Sequence, residues 1–322
     1  IDRIHEISMA VTAKHAAAVR RIAPMTPARA IVAMARPSQI GLIWVVFVAG
    51  ALLGLTRPEA AIDAVAVAVA VSLITGAAVA AHWVNEAEDA ATDRQTTRTA
   101  FSGGSGALEA SGVDPSVPLR LGLLLAGVVA GATGVAWLAG ALPGAAAAIV
   151  LAGLAGALSY SLPPLAAMRH GWGEVLNAIL GGMLLPLAGV AVIGGAVRTV
   201  DALAFLPFTL VVFASVMATA WPDRVADAAT DKATLQVRLR PATLRRIHAA
   251  ATIGFVGTTV LVALSGAMPY ALAGLLVLPA LAVGMATYTR RTSPLPNVAA
   301  MVGLAIVLLI TNSVAMLTGW SG

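Results

Sequence analysis

Asn85, Asp89 and Asp93 recur at intervals of four residues, and so do Asp223, Asp227 and Asp231. They lie in two stretches, Asn85-Glu86-Ala87-Glu88-Asp89-Ala90-Ala91-Thr92-Asp93 and Asp223-Arg224-Val225-Ala226-Asp227-Ala228-Ala229-Thr230-Asp231. These hold seven of the fifteen acidic residues in the chain. On a helix this spacing stacks the oxygen-bearing side chains along one face. Stacked carboxylates repel one another unless a cation sits between them. Magnesium meets that need, because it takes hard oxygen ligands and is usually held by one or two carboxylates plus substrate phosphate. The pattern predicts a divalent-metal and phosphate site, with Asn85, Asp89, Asp93, Asp223, Asp227 and Asp231 as metal ligands and Asp89, Asp93, Asp227 and Asp231 as the catalytic core. A single aspartate near a helix end reads as a cap or a solvated ion pair; two triplets at helical spacing do not.

Cations follow each stretch. Arg94 and Arg98 come after the first, and Arg224 and Lys232 lie in or beside the second. Their charge suits a diphosphate on which negative charge grows as it departs. The segment Phe101-Ser102-Gly103-Gly104-Ser105-Gly106 offers backbone N–H groups to phosphate. The five histidines show no metal-ligand spacing, and only His82, one turn before the first stretch, lies near the site. Trp83, Trp137, Trp172 and Trp221 read as markers of bilayer interfaces. Some of these, with Tyr160, have rings suited to shielding a carbocation.

The elements that must position these groups are membrane helices. The chain is 59% hydrophobic and 11% charged, where a soluble domain carries roughly 25% charged residues. About 20 apolar residues cross the hydrocarbon core. Nine such runs are expected, near 39–56, 62–84, 118–141, 143–162, 173–195, 203–222, 243–266, 268–288 and 297–318. The fold class expected is an all-α membrane protein, nine helices in a ring-like bundle around a central cavity. With the N-terminus in the cytoplasm, cytoplasmic segments hold eighteen of the 20 Lys and Arg residues, and the other side only Arg57 and Arg198. That asymmetry obeys the positive-inside rule and sets both acidic stretches on the cytoplasmic side. It also explains the net charge of +5 without nucleic acid as a partner. With no cysteine there is no disulfide framework or thiolate metal site. Residues 1–35 are expected to form a cytoplasmic or interfacial arm and 36–322 a single domain; the first residue, Ile1, is expected of a trimmed start. The acidic stretches follow the second and sixth helices, 138 residues apart from Asp89 to Asp227, which suggests that helices one to four and five to eight are duplicated halves.

These residues resemble the UbiA superfamily of intramembrane prenyltransferases, with its nine helices, its N-x-x-x-D-x-x-x-D motif after helix two and its D-x-x-x-D motif after helix six. Tyr160-Ser161-Leu162-Pro163-Pro164-Leu165 is similar to the family's Tyr-Ser-x-Pro-Pro segment. Gly171-Trp172-Gly173-Glu174, Gly181-Gly182 and Thr234-Leu235-Gln236-Val237-Arg238-Leu239 resemble the MenA-like branch, which prenylates dihydroxynaphthoate. The family's Asn-Asp opening is Asn85-Glu86 here. Its basic residue after the prolines is displaced to the neighbourhood of Met168 and Arg169, and the loop from Asp231 to Thr234 is shorter and lacks a glycine.

The resemblance implies Mg²⁺-dependent transfer from a polyprenyl diphosphate donor to an aromatic acceptor of dihydroxynaphthoate or hydroxybenzoate type, in menaquinone or related quinone biosynthesis. The diphosphate-binding set is then Asn85, Arg94, Arg98, Arg224, Lys232, Tyr160 and Arg169. Membrane lipid surrounds the bundle, and the plasma membrane, with the active site towards the cytoplasm, is the expected location. A terpene cyclase of the same superfamily and a transferase acting on a non-aromatic lipid remain as alternatives. A transporter is disfavoured, because its carboxylates would lie mid-span.

Overall fold

The computed structural model describes residues 23–96, 101 and 103–320. All regular elements among them are helical. A short α1 (Pro27–Met34) leads into α2 (Pro37–Leu55), then α3 (Ala64–Asp93), a five-residue α4 (Ala107–Ser111), α5 (Ser116–Leu138) and α6 (Gly144–Ser161). The second half runs through α7 (Gly173–Gly194) and α8 (Thr199–Ala220). It continues with the short helices α9 (Arg224–Ala229) and α10 (Leu235–Arg238), then α11 (Pro241–Ser265), α12 (Leu278–Thr287) and α13 (Leu295–Thr318). Eight helices are long and apolar enough to cross a membrane, the first counted from Pro27 to Leu55 through α1 and α2. The apolar run expected at 268–288 is instead a shorter broken element, a 3₁₀ stretch Ala271–Val277 followed by α12. Proline at the second position of α12 accounts for the break: it has no N–H to give the preceding turn and clashes with it.

Helices α2 and α7 meet through glycine. A Cβ at Gly50 would stand 1.9 Å from Pro186 O, and one at Gly189 would stand 2.2 Å from Phe47 O. No side chain fits there, so the backbones touch, as small residues allow in lipid. Two apolar cores flank this contact. One joins α2, α7, α8, α11 and α13 around Phe205, Phe208, Phe255 and Leu304. The other joins α2, α3, α5, α6 and α7 around Phe47, Leu73, Val129 and Leu154. Leu124, Val128, Val135 and Leu264 are exposed on the outer faces, where lipid would cover them.

Arg57 and Arg198, the two cations expected apart from the other eighteen, are both paired. Arg57 bonds Asp201, which also accepts Arg198 N at 2.6 Å, while the Arg198 side chain pairs with Glu59. Asp201 and Arg198 lie at the N-terminal end of α8, whereas the first acidic stretch forms the C-terminal end of α3 and the second follows the C-terminal end of α8.

Candidate active site at the ends of α3 and α8

The first triplet folds as its spacing predicts. Asn85, Asp89 and Asp93 all lie in the last turns of α3, and Asn85 Nδ2 donates to Asp89 Oδ2 at 3.0 Å. The second does not. Helix α9 ends at Ala229, and Asp231 is exposed with φ 56°, so Asp223, Asp227 and Asp231 do not share one helical face. Thr230 turns its hydroxyl back onto Ala226 O at 3.0 Å and Asp227 O at 3.3 Å. Such back-bonding offers the chain an alternative to continuing the helix. Asp227 remains buried, and burial raises its carboxyl to about 6, against a pull downward from nearby Lys232.

The two stretches nevertheless converge. Lys232, only 5% exposed, pairs its ammonium with Asp89 Oδ1. Thr92 and Thr230 occupy the same place in the repeated sequence Asp-Ala-Ala-Thr-Asp, and their hydroxyls meet at 2.9 Å. Thr234 Oγ1 donates to Asp227 Oδ2 at 3.4 Å from the segment that carries Lys232.

Glu86 and Arg36 had no signal in spacing. Arg36, with φ 53° between α1 and α2, sends Nη2 to Glu86 Oε1 at 2.6 Å and to Asn85 Oδ1 at 3.3 Å. Glu86 is buried and also accepts Ser105 N and Ser105 Oγ, both at 2.8 Å. The N–H of Ser105, expected to face phosphate, is therefore spent on Glu86. Gly104 lies against Asp93: a Cβ there would stand 2.0 Å from Asp93 Oδ2, and its φ of +62° favours glycine. Residues 23–35, part of the expected N-terminal arm, pack onto this end. Met25 N donates to Ala110 O at 3.0 Å and Trp83 Nε1 to Ile31 O at 3.0 Å, while His82 Nδ1 lies 2.9 Å from Ala35 O. His82 is thus a tie to α1.

The remaining expected residues divide. Arg169 lies 3.7 Å from Glu88, at the rim. Tyr160 is half-buried beside Gly173. Arg224 is committed locally, its guanidinium 3.9 Å above the Trp221 ring and donating to Trp221 O at 2.9 Å. Trp83 and Trp221 are thus held by protein, whereas Trp137 and Trp172 are exposed, as interface markers are. Arg94 is exposed at the C-cap of α3. Arg98 and residues 1–22 lie outside the described residues. Among the described residues, a cavity of about 20 Å³ borders the first stretch at Glu86, Ala90, Asp93 and Arg94, and one of about 10 Å³ lies in the apolar core beside Phe255 and Leu304. Lys232, Thr92 and Thr230 make contacts between the two stretches.

Among the described residues, no three carboxylates or histidines lie close enough to share one ion. The donors present are hard oxygens on two facing elements. They suit a cation that takes one or two carboxylates and completes its shell with substrate phosphate, as magnesium does.

Residues 42–309 match the model of the UbiA prenyltransferase family. The chain belongs to that family. No curated protein sequence is significantly similar to it. Among solved structures, this UbiA-family chain resembles a UbiA homologue from Archaeoglobus fulgidus bound to DMAPP and Mg²⁺ (TM-score 0.62, 12% identity, 89% of this chain and 98% of that one). A UbiA homologue from Archaeoglobus fulgidus bound to GPP and Mg²⁺ matches with TM-score 0.57 and 15% identity, over 89% of this chain and 99% of that one. A digeranylgeranylglyceryl phosphate synthase matches with TM-score 0.60 and 12% identity, over 90% of this chain and 98% of that one. At these identities the likeness is one of fold.

In this UbiA-family fold the two segments that resemble the MenA-like branch touch each other. Glu174 Oε1 accepts Leu235 N at 3.1 Å, and Arg238 Nη1 donates to His170 O. Gly182 is pressed against α8, where a Cβ would stand 2.6 Å from Thr209 Cα.

Proposed function

We propose that this protein transfers a prenyl group from a polyprenyl diphosphate to an aromatic acceptor, with Mg²⁺, at the end of the bundle where the two acidic stretches meet. The observation that carries this reading is the convergence of Asp89 and Asp227 across the Lys232 and Thr92–Thr230 contacts, in a chain of the UbiA family. Asn85, Asp89, Asp93, Asp223, Asp227 and Asp231 are the residues that would hold the metal. Magnesium bound there supplies positive charge that draws electrons towards the departing diphosphate. Lys232 would add fixed charge on the same oxygens, and Arg94, Arg98, Arg169 and Arg224 are the further cations assigned to the diphosphate. The C–O bond to the diphosphate breaks, the acceptor ring carbon bonds to the allylic carbon, and the ring loses its proton. The apolar helices would exclude water that otherwise traps the cation, and Tyr160 is a ring proposed to shield positive charge.

The same reading includes nine membrane crossings, a cytoplasmic N-terminus and a plasma-membrane location with the site facing the cytoplasm. The ninth crossing is the broken helix: seven 3₁₀ residues at about 2.0 Å and ten α residues at about 1.5 Å reach about 29 Å, close to the hydrocarbon thickness. The charge asymmetry of eighteen to two supports the orientation. The single domain is taken as residues 36–322, preceded by the N-terminal arm of residues 1–35. A dihydroxynaphthoate-type acceptor in quinone biosynthesis is the finer assignment, supported by the two branch-like segments. A glycerol-lipid acceptor is the second reading, favoured by the fold shared with the glyceryl phosphate synthase.

The deciding assay incubates purified protein with Mg²⁺ and a labelled polyprenyl diphosphate, in parallel with dihydroxynaphthoate, 4-hydroxybenzoate, a glycerol phosphate lipid and no acceptor. A prenylated aromatic product is expected. A prenylated glycerol lipid would transfer the assignment to the second reading, and a cyclised hydrocarbon formed without acceptor would overturn both.

A further inference from the structure

Glu174 lies outside both acidic stretches, yet it is 4% exposed at the first turn of α7. One oxygen, Oε1, accepts Leu235 N at 3.1 Å; the other is buried with no hydrogen-bond partner among the described residues. Leu235 follows Thr234, whose hydroxyl reaches Asp227, and stands three residues after Lys232, whose ammonium reaches Asp89. Two further bonds splint the same segment: Ala233 N donates to Arg169 O at 3.0 Å, and Arg238 Nη1 donates to His170 O. Gly171, at φ +77°, leaves room for the Arg238 stem, since a Cβ there would stand 3.0 Å from Arg238 Cδ. Residues 169–174 thus form a brace behind the short stretch that delivers one cation and one hydroxyl to the two acidic stretches.

Resting on the magnesium-diphosphate reading, we infer that Glu174 is a positioning residue: its carboxylate oxygen, bonded to the Leu235 amide, fixes the stretch 232–234 and so aims Lys232 and Thr234 at the donor diphosphate. It acts as a hydrogen-bond acceptor for a neutral amide. A glutamine, which presents an oxygen at the same reach, therefore replaces it, and an alanine does not.

The full-length protein in lipid nanodiscs tests this with four single variants, Glu174→Gln, Glu174→Ala, Leu235→Pro and Leu235→Ala. Leu235 is the first residue of α10, where proline keeps the helix and removes only the N–H. Thr234, at φ −59° and ψ 163°, already has the backbone that a residue before proline prefers. Leu235→Ala controls for the lost leucine side chain. Three quantities are read: kcat and KM for the donor, Mg²⁺-dependent binding of unreactive geranyl thiodiphosphate, and the rate of tryptic cleavage after Lys232.

Glu174→Ala and Leu235→Pro are expected to raise donor KM and weaken analogue binding by about tenfold, the size of one good hydrogen bond, with a smaller change in kcat, and to speed cleavage after Lys232. Glu174→Gln and Leu235→Ala stay within about twofold of wild type, because the bond survives. Glu174→Ala combined with Leu235→Pro is no worse than either alone, because both remove one interaction. The inference is overturned if Glu174→Gln is as impaired as Glu174→Ala, since charge or proton transfer would then be what Glu174 supplies. It is overturned equally if Glu174→Ala binds the analogue as wild type does. If wild-type protein itself fails to bind a prenyl diphosphate, the proposed function fails. Cleavage after Lys232 in the same variants still decides whether Glu174 holds the stretch.

Discussion

Lys232→Met is the most informative single change, because Lys232 serves fold and chemistry at once. Its ammonium is 5% exposed and pairs with Asp89, whose side chain is 19% exposed and also receives Asn85 Nδ2 at 3.0 Å. Breaking a fully buried ion pair from one side costs about 3–5 kcal/mol. Asp89 keeps the Asn85 bond and some water, so about 2–3 kcal/mol is expected here, and the detergent-solubilised protein should melt roughly 5 °C lower. Removing both partners is milder than removing one, because no buried charge is left alone. Lys232→Met with Asp89→Asn should therefore recover part of the lost melting temperature. In steady-state kinetics, loss of a charge-assisted contact to diphosphate lowers donor kcat/KM by about 30-fold. Half-saturation by Mg²⁺ should hold or improve, since Asp89 is no longer shared with an ammonium. Wild-type kcat/KM in Lys232→Met would refute the assignment of Lys232 to the diphosphate. A Mg²⁺ requirement that rises in step with the lost activity would refute the separation of the two roles.

Other outcomes follow from single contacts. Thr92→Val deletes the hydroxyl bond between the stretches while Thr230 keeps its backbone partners; about 1 kcal/mol of stability should go, with donor KM rising a few-fold, as a melting curve and kinetics would read. Gly104→Ala sets a Cβ on the Asp93 carboxylate at a positive φ, so Asp93 must move and Mg²⁺ half-saturation should rise severalfold in a metal titration. The raised Asp227 carboxyl gives a pH dependence in the metal-free protein. Its folded value is about 6 against 3.8 for an ordinary aspartate, so the native state holds more protons than the unfolded state between those values. Stability from this group is therefore greatest in acid and declines as pH rises to about 6. Asp227→Asn should flatten the dependence of melting temperature on pH over that window.

The first acidic stretch was legible because it extends a 30-residue helix, so i, i+4, i+8 spacing became geometry. The second carries the same five residues, Asp-Ala-Ala-Thr-Asp, but the six-residue helix that follows Trp221-Pro222 holds only the first three and ends at Ala229. Proline cuts it off from α8, Thr230 back-bonds, and Asp231 turns left-handed. Spacing alone does not distinguish a helix long enough to propagate from one that stops. Arg36 and Ser105 were invisible for another reason: each meets Glu86 across a long loop or a whole helix, and no local pattern encodes such contacts. Most membrane helices were legible from hydropathy, with the run at 268–288 appearing as a shorter broken helix because Pro279 interrupts it.

The central claim is that two acidic stretches, far apart in sequence, serve one Mg²⁺-dependent diphosphate site. Calorimetric titration of the purified chain with geranyl thiodiphosphate tests it directly, in wild type and in Asp89→Ala and Asp227→Ala variants shown to remain folded in detergent. One molecule should bind per chain, only when Mg²⁺ is present, and either substitution alone should abolish binding. Wild-type affinity in either variant, or tight binding without Mg²⁺, would contradict it.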